Sequence, residues 1–347
     1  MERHEALPAD PPVGAALLSG PRTLLPLAAA AALAGCGGSS PGGPGPVPTP
    51  VPGNTVVAIA FYDENANGRA EPGEPIRVPD VELAVSGRTA RTEKLTGRAT
   101  ITGVPAGQHA VAVRTDTLPP FFTVGAPVSA SSPQEAGAPA LIPLVLPIGR
   151  NRPNVYMAFG DSITRQDGVA LSALYPPQLQ AMLAAHFAGA EVVNRGNDGT
   201  NTWEGAERIG RGLDAILPAY SLILYGTNDW HDPVCQDTPP CHVVDNLRRM
   251  VDEVKAAGSL PFVATLPPVN PALNPAGRND WIRAINDAIR AMAREEGAFL
   301  VDMHAAFTRQ PSLPALFDDH VHPSEAGRRL VAETFFEAIA HGRSGAN

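Results

Sequence analysis

Ser162 stands in Gly160-Asp161-Ser162-Ile163-Thr164, directly after the apolar run Val155 to Phe159. A serine hydroxyl is a weak nucleophile until a neighbouring base takes its proton. His322 is the natural base, because imidazole titrates near working pH. It lies in Asp319-His320-Val321-His322-Pro323, where Asp319, three residues earlier, can reach back and fix the ring tautomer. Two more polar blocks follow apolar runs: Asn194-Arg195-Gly196-Asn197-Asp198-Gly199 after Ala190 to Val193, and Gly226-Thr227-Asn228-Asp229 after Ser221 to Tyr225. Singly, each block is weak. Gly-Asp-Ser is usually a turn, and Asn-x-Asp and Asp-x-x-His are common caps and loop polar groups.

What could bring them together is the pattern from Asn154 onward. Five short apolar runs, ending with Pro261 to Leu266 and Ala298 to Val301, alternate with stretches of helical period. Val243, Leu247, Met250 and Val254 mark one helix face, and Ile282, Ile285, Ile289 and Met292 another. A last helix follows Pro323. Strands alternating with helices predict a three-layer α/β/α domain over 152–342, with a flavodoxin-like parallel sheet covered on both faces. In such a sheet, active residues collect at the carboxyl ends of the strands. All four polar blocks fall there.

In this order and at successive strand ends, the four blocks resemble the SGNH (GDSL-type) hydrolase family from Asn154 to about Ala340. The resemblance implies a serine ester hydrolase that needs no cofactor for catalysis, with Ser162 as nucleophile, His322 as general base and Asp319 as its orienting partner. It also implies an oxyanion hole made by the backbone N–H groups of Ser162 and Gly199 and the side-chain amide of Asn228. Donors are needed where the tetrahedral intermediate develops charge. Gly199 has no Cβ to obstruct substrate, and Asn228 donates without ionising. A helix starting at Ser162 would add its dipole. Asp318 is the alternative partner for His322, and the family spacing favours Asp319. Other serine hydrolases fit less well. The G-x-S-x-G glycine is missing, and the chain order Ser, Asp, His is not that of chymotrypsin-like enzymes. Trp203 is expected in the core, although it could flank an acyl or sugar group.

Residues 54–146 carry short β-type runs at Thr55–Tyr62, Val81–Val85, Ala99–Thr102 and His109–Arg114, separated by turn residues. No helical period is visible, so a small antiparallel sandwich is expected. Phe61 to Glu74 and Gly103 to Val113 resemble the prealbumin-like B-repeats of bacterial surface adhesins. Phe61 to Glu74 also fits a calcium-loop template, with ligands from Asp63, Asn65, Asn67, the Arg69 carbonyl and Glu74. An acidic surface turn is the alternative.

The three cysteines divide by context. Cys36 ends Leu33-Ala34-Gly35-Cys36 after the apolar stretch Leu24 to Leu33, with Arg22 just before it. This resembles a bacterial lipoprotein signal: residues 1–36 would be the leader, Cys36 the lipidated mature end, and 37–53 a Pro/Gly-rich tether. The protein would then be exported and membrane-anchored. The acidic segment before Arg22 suggests a translation start downstream, at Val13; a peptide mapping upstream of Val13 would refute this. In an exported protein, Cys235 and Cys241 read as a disulfide. The competitor is a metal site with His231, Asp232 and His242, disfavoured by the C-x5-C spacing. The loop they pin follows Asn228, and would form either a wall of the substrate opening or a remote surface loop.

A net charge of −9 argues against nucleic acid. As partners, the hydrolase resemblance implies an ester substrate (glycan, lipid or small acyl ester), and the lipoprotein-signal resemblance implies a membrane. The rival expectation is a surface-attached binding protein on an inactive hydrolase scaffold, since fold alone does not prove activity.

Overall fold

The structure is a computed structural model that describes residues 53–344. The expected leader, Cys36 and nearly all of the tether lie outside the described residues.

The N-terminal part is a sandwich of two four-stranded sheets. One has the order β4-β1-β8-β6, from β1 (Asn54–Tyr62), β4 (Arg98–Val104), β6 (Thr123–Val124) and β8 (Ala140–Val145). The other has the order β3-β2-β5-β7, from β2 (Glu82–Val85), β3 (Arg88–Arg91), β5 (Gly107–Val113) and β7 (Val128–Ser132). Period-2 burial makes the core: Val56, Ala58, Leu83, Val85, Ile101 and Leu144 all point inward. Ser86 and Gly87, both at positive φ, close the two-residue hairpin between β2 and β3. One pairing departs from the antiparallel expectation. β1 and β8 run parallel, because the first and last strands of the unit are neighbours and the rest of the sandwich is their crossover.

The second part is a five-stranded, wholly parallel sheet with the flavodoxin-like order β10-β9-β11-β12-β13. Its strands are β9 (Arg152–Gly160), β10 (Glu191–Gly196), β11 (Pro218–Leu224), β12 (Leu260–Ala264) and β13 (Phe299–Val301). The helices are α1 (Tyr175–Phe187), α2 (Thr202–Ile216), α3 (Pro233–Asp237), α4 (Val243–Ala256), α5 (Ala276–Glu295), α6 (Met303–Thr308) and α7 (Glu325–His341). Alternation along the strands sorts them into layers. Val155, Met157, Phe159, Ile223 and Val263 pack with α2, α4 and α5. Tyr156, Ala158, Leu222, Phe262 and Ala264 pack with α1 and α7. Burial on both faces is why the strands read as unbroken apolar runs.

The sandwich is not a detached spacer. Its core is continuous with the α1/α7 layer, Phe121 meets Phe262 edge-on at 5.7 Å, and the buried Ile148 fills the short connection to β9. Apolar turn residues that a free module would expose are what the docking covers.

Candidate active site

β9 delivers Ser162. Gly160 ends the strand where any Cβ would strike the Thr164 side chain and the Leu224 carbonyl. The chain then turns sharply: Thr164 and Arg165 N–H donate to the Asp161 carbonyl at 3.1 and 3.0 Å. The Asp161 side chain accepts from Ile163 N–H at 2.9 Å. No helix starts at Ser162, contrary to expectation. Pro176 and Pro177, in the first turn of α1, set that helix's start at Tyr175, so no long helix dipole is aimed at the serine.

The other blocks are tied to this turn. Asn197 N–H donates to the Gly160 carbonyl at 2.9 Å, and the Asn194 amide to the Thr164 carbonyl at 2.9 Å. Gly199 adopts φ +74°, a left-handed conformation suited to glycine. Asn201 then caps α2 in a reciprocal box with Glu204. From the β11 side, the Asn228 amide donates to the Thr200 carbonyl at 2.9 Å. Asp229 accepts from Thr202 N–H (3.0 Å) and hydroxyl (2.6 Å). Among the described residues, the backbone N–H groups of Ser162 and Gly199 donate to no protein acceptor, and Asn228 has a second amide hydrogen. These three donors are the ones the sequence singled out.

His322 completes the set. Its Nε2 lies 3.1 Å from Ser162 Oγ and its Nδ1 lies 2.7 Å from Asp319 Oδ2. A carboxylate at Nδ1 fixes the proton there, leaving Nε2 to accept from the serine. Asp319 also accepts from the N–H groups of Val321 and His322 at 2.8 and 2.7 Å. Burial alone would raise its pKa. The bonds from the His322 ring and the two backbone groups outweigh that and bring it down to about 2. Asp318, the alternative partner, points instead to Arg328 at 3.0 Å. His320 is half exposed, and its carbonyl receives Asn270 N–H. Beneath the serine, burial lifts Asp161 to about 7; the nearby Asp229 pushes the same way, against the Ile163 bond and the His322 charge.

Two residues differ from expectation. Trp203 is 46% exposed rather than in the core. In the first turn of α2 the inward positions are Thr202, Gly205 and Ala206, so residue 203 faces out. Arg208 was missed. Its guanidinium donates to the carbonyls of Gly160 (2.7 Å) and Arg195 (2.8 Å) and to Tyr225 Oη (3.1 and 2.8 Å), and lies 4.0 Å from the Phe159 ring centre. It thereby joins the ends of β9 and β10 and the residue after β11. A single arginine on a helix has no sequence signal for such a role.

Cys235 and Cys241 are disulfide-bonded, with Cα atoms 5.0 Å apart. The buried Cys235 carbonyl accepts from the Trp281 indole at 2.6 Å, which fastens this loop to α5. His242 lies beside the bridge at 3.5 Å, but sulfurs bonded to each other cannot serve as thiolate ligands. In the Asp63–Glu74 loop, Asp63 accepts from Asn67 and Gly68 N–H, and Glu74 from Glu64 and Glu71 N–H. Asn65 and Asn67 accept from Asn67 and Arg69 N–H. Each of these oxygens accepts a backbone hydrogen bond and keeps a further lone pair.

Fold and site together define a hydrolase acting on ester bonds. Residues 158–330 form a domain of the GDSL-like lipase/acylhydrolase family. It is 28% identical over 208 residues to an acetylxylan esterase from Geobacillus stearothermophilus, covering 55% of this chain and 88% of that one. A crystal structure of an acetylxylan esterase from the same organism aligns with 24% identity and a TM-score of 0.47, covering 57% of this chain and 98% of the other. A lipase/acylhydrolase structure from Enterococcus faecalis aligns with 20% identity and a TM-score of 0.46, covering 54% and 95%.

Proposed function

We propose that the protein hydrolyses carboxylic esters through an acyl-enzyme, and that its substrates are O-acetyl esters of glycans. The observation that carries the mechanism is the His322 ring suspended between Ser162 Oγ and Asp319. His322 takes the serine proton as Ser162 attacks the ester carbonyl, and returns it to the leaving alcohol. Ser162 N–H, Gly199 N–H and the Asn228 amide receive the oxyanion. A water then repeats the sequence on the acyl group. Asn228→Ala is expected to lower kcat about 100- to 1,000-fold, the cost of one oxyanion donor elsewhere; steady-state rates on p-nitrophenyl acetate measure it.

Two observations support the glycan ester. The curated relative is an acetylxylan esterase, and Trp203 stands exposed beside Thr202, whose side chain binds the neighbour of Asn228. An exposed indole offers a sugar ring a flat apolar face. The competing reading, a lysophospholipase or short-acyl esterase, has support of its own. Leu171, Val234 and Leu273 are also exposed, in the connections that follow β9, β11 and β12. Relative kcat/KM on acetylated xylan, lysophospholipid and p-nitrophenyl esters of increasing chain length decides between them. A preference for long acyl chains would overturn the glycan assignment.

The proposal includes a lipid anchor at Cys36, facing the periplasm or cell exterior; it fails if the Cys36→Ala chain stays in the membrane fraction. It also includes structural calcium at Asp63, Asn65, Asn67, Arg69 and Glu74. Calcium at 100 times its Kd is expected to raise Tm by about 5 °C. A Tm indifferent to both calcium and chelator excludes the ion.

A further inference from the structure

Far from Ser162 in sequence role, a second cluster occupies the junction between the sandwich and the α1/α7 layer. His186 lies in the last turn of α1, His341 is the last residue of α7, and Asp80 sits in the turn before β2. His186 Nε2 and His341 Nδ1 each lie 3.9 Å from Asp80 Oδ2, and one ligand-type atom from each of the three residues falls within 4.8 Å of the others. These separations are too long for hydrogen bonds. His186 is 1% exposed, yet neither of its ring nitrogens has a partner. A buried polar side chain left in that state demands an explanation.

We propose that Asp80, His186 and His341 bind a zinc ion that fastens the sandwich to the ends of α1 and α7. With those atoms no more than 4.8 Å apart, an ion placed among the three needs each ligand to close in by at most roughly 0.4 Å to reach a zinc–nitrogen distance of about 2.1 Å. Two imidazoles and one carboxylate suit zinc, and water can take the fourth position from the side where Asp80 and His341 are partly exposed. The backbone of Asp80 is already fixed: its N–H donates to the Thr92 carbonyl at 2.8 Å, and its carbonyl accepts from Arg91 at 2.8 Å. The backbone that carries the carboxylate is therefore held in place. His186 and His341 both stand at helix C-termini, whose partial negative charge favours a cation. Burial, more than the neighbouring charges, pushes the His186 pKa down to about 4. Its ring is thus neutral at working pH, the form that ligates metals. The charged groups acting on it are Asp80, which favours a cation here, and His341 and Lys94. Lys94 opposes one, and zinc must outcompete it.

The test uses the full chain, prepared without a histidine tag, stripped with chelator and titrated with zinc chloride by calorimetry. One equivalent is expected to bind with a Kd in the micromolar range or tighter, with Tm raised by about 5 °C at 100 times Kd. Asp80→Asn tolerates the positive φ of that residue, and His341→Gln changes a partly exposed position; each is expected to weaken zinc at least 100-fold. Absence of wild-type binding overturns the proposal. So does wild-type affinity in both variants, which would place the zinc elsewhere. The readout is independent of esterase activity, so the proposal stands or falls apart from the catalytic one.

Discussion

Replacing Ser162 with alanine is expected to lower kcat by about a million-fold, the loss found when the nucleophile of such a unit is removed. The substitution deletes one oxygen at a largely buried position and leaves the turn intact, since the Asp161 carbonyl still receives Thr164 and Arg165 N–H. It also leaves the Ser162 N–H in place, so the proposed oxyanion donors survive. A residual rate of about 10³- to 10⁴-fold over water is therefore expected, from those donors and from binding alone. In the proposed mechanism Ser162 and His322 act as one unit, so Ser162→Ala with His322→Ala should be no slower than either single variant. Single-turnover kinetics with p-nitrophenyl acetate, read alongside intact mass, gives both answers. An acetylated adduct on Ser162→Ala would mean that another residue carries the acyl group.

The sequence showed the parallel sheet because its strands are buried on both faces, which turns each into an apolar run. It showed the polar blocks because each follows such a run. What it concealed follows from the same physics. β3 is Arg88-Thr-Ala-Arg91, an edge strand lying largely in solvent, so no apolar alternation marks it. The docking of the sandwich depends on Phe121, Phe122 and Ile148, isolated apolar residues in turns with no period to read. The exposure of Trp203 depends on helix phase rather than residue type, and the phase of α2 is set by its cap at Asn201. Arg208 and the Asp80–His186–His341 cluster are contacts across tens to hundreds of residues. Only the fold brings them together.

Asp319→Asn is expected to lower kcat about 10³- to 10⁴-fold, and the reason is the tautomer rather than the charge alone. The asparagine carbonyl can still accept from Val321 and His322 N–H, so the loop should persist. Its NH₂ group, however, replaces the acceptor that faces His322 Nδ1. The ring must then turn a lone pair toward Nδ1 and carry its proton on Nε2, directed at Ser162. A protonated Nε2 cannot take the serine proton. Asp319→Ala removes the acceptor without supplying a wrong donor, and water can fill the half-exposed site. It should therefore be the milder change. Asp318→Asn, which loosens only the contact to Arg328, should leave kcat within a few-fold. The same carboxylate also has a pH signature. Its pKa is about 2 when folded and about 3.9 when unfolded, so its stabilisation is complete above the unfolded value and is lost as pH falls toward 2. The Tm difference between wild type and Asp319→Asn should close across that window. If Asp319→Asn were the milder of the two Asp319 variants, or Asp318→Asn the more harmful aspartate change, Asp319 would not be the group that fixes the His322 tautomer.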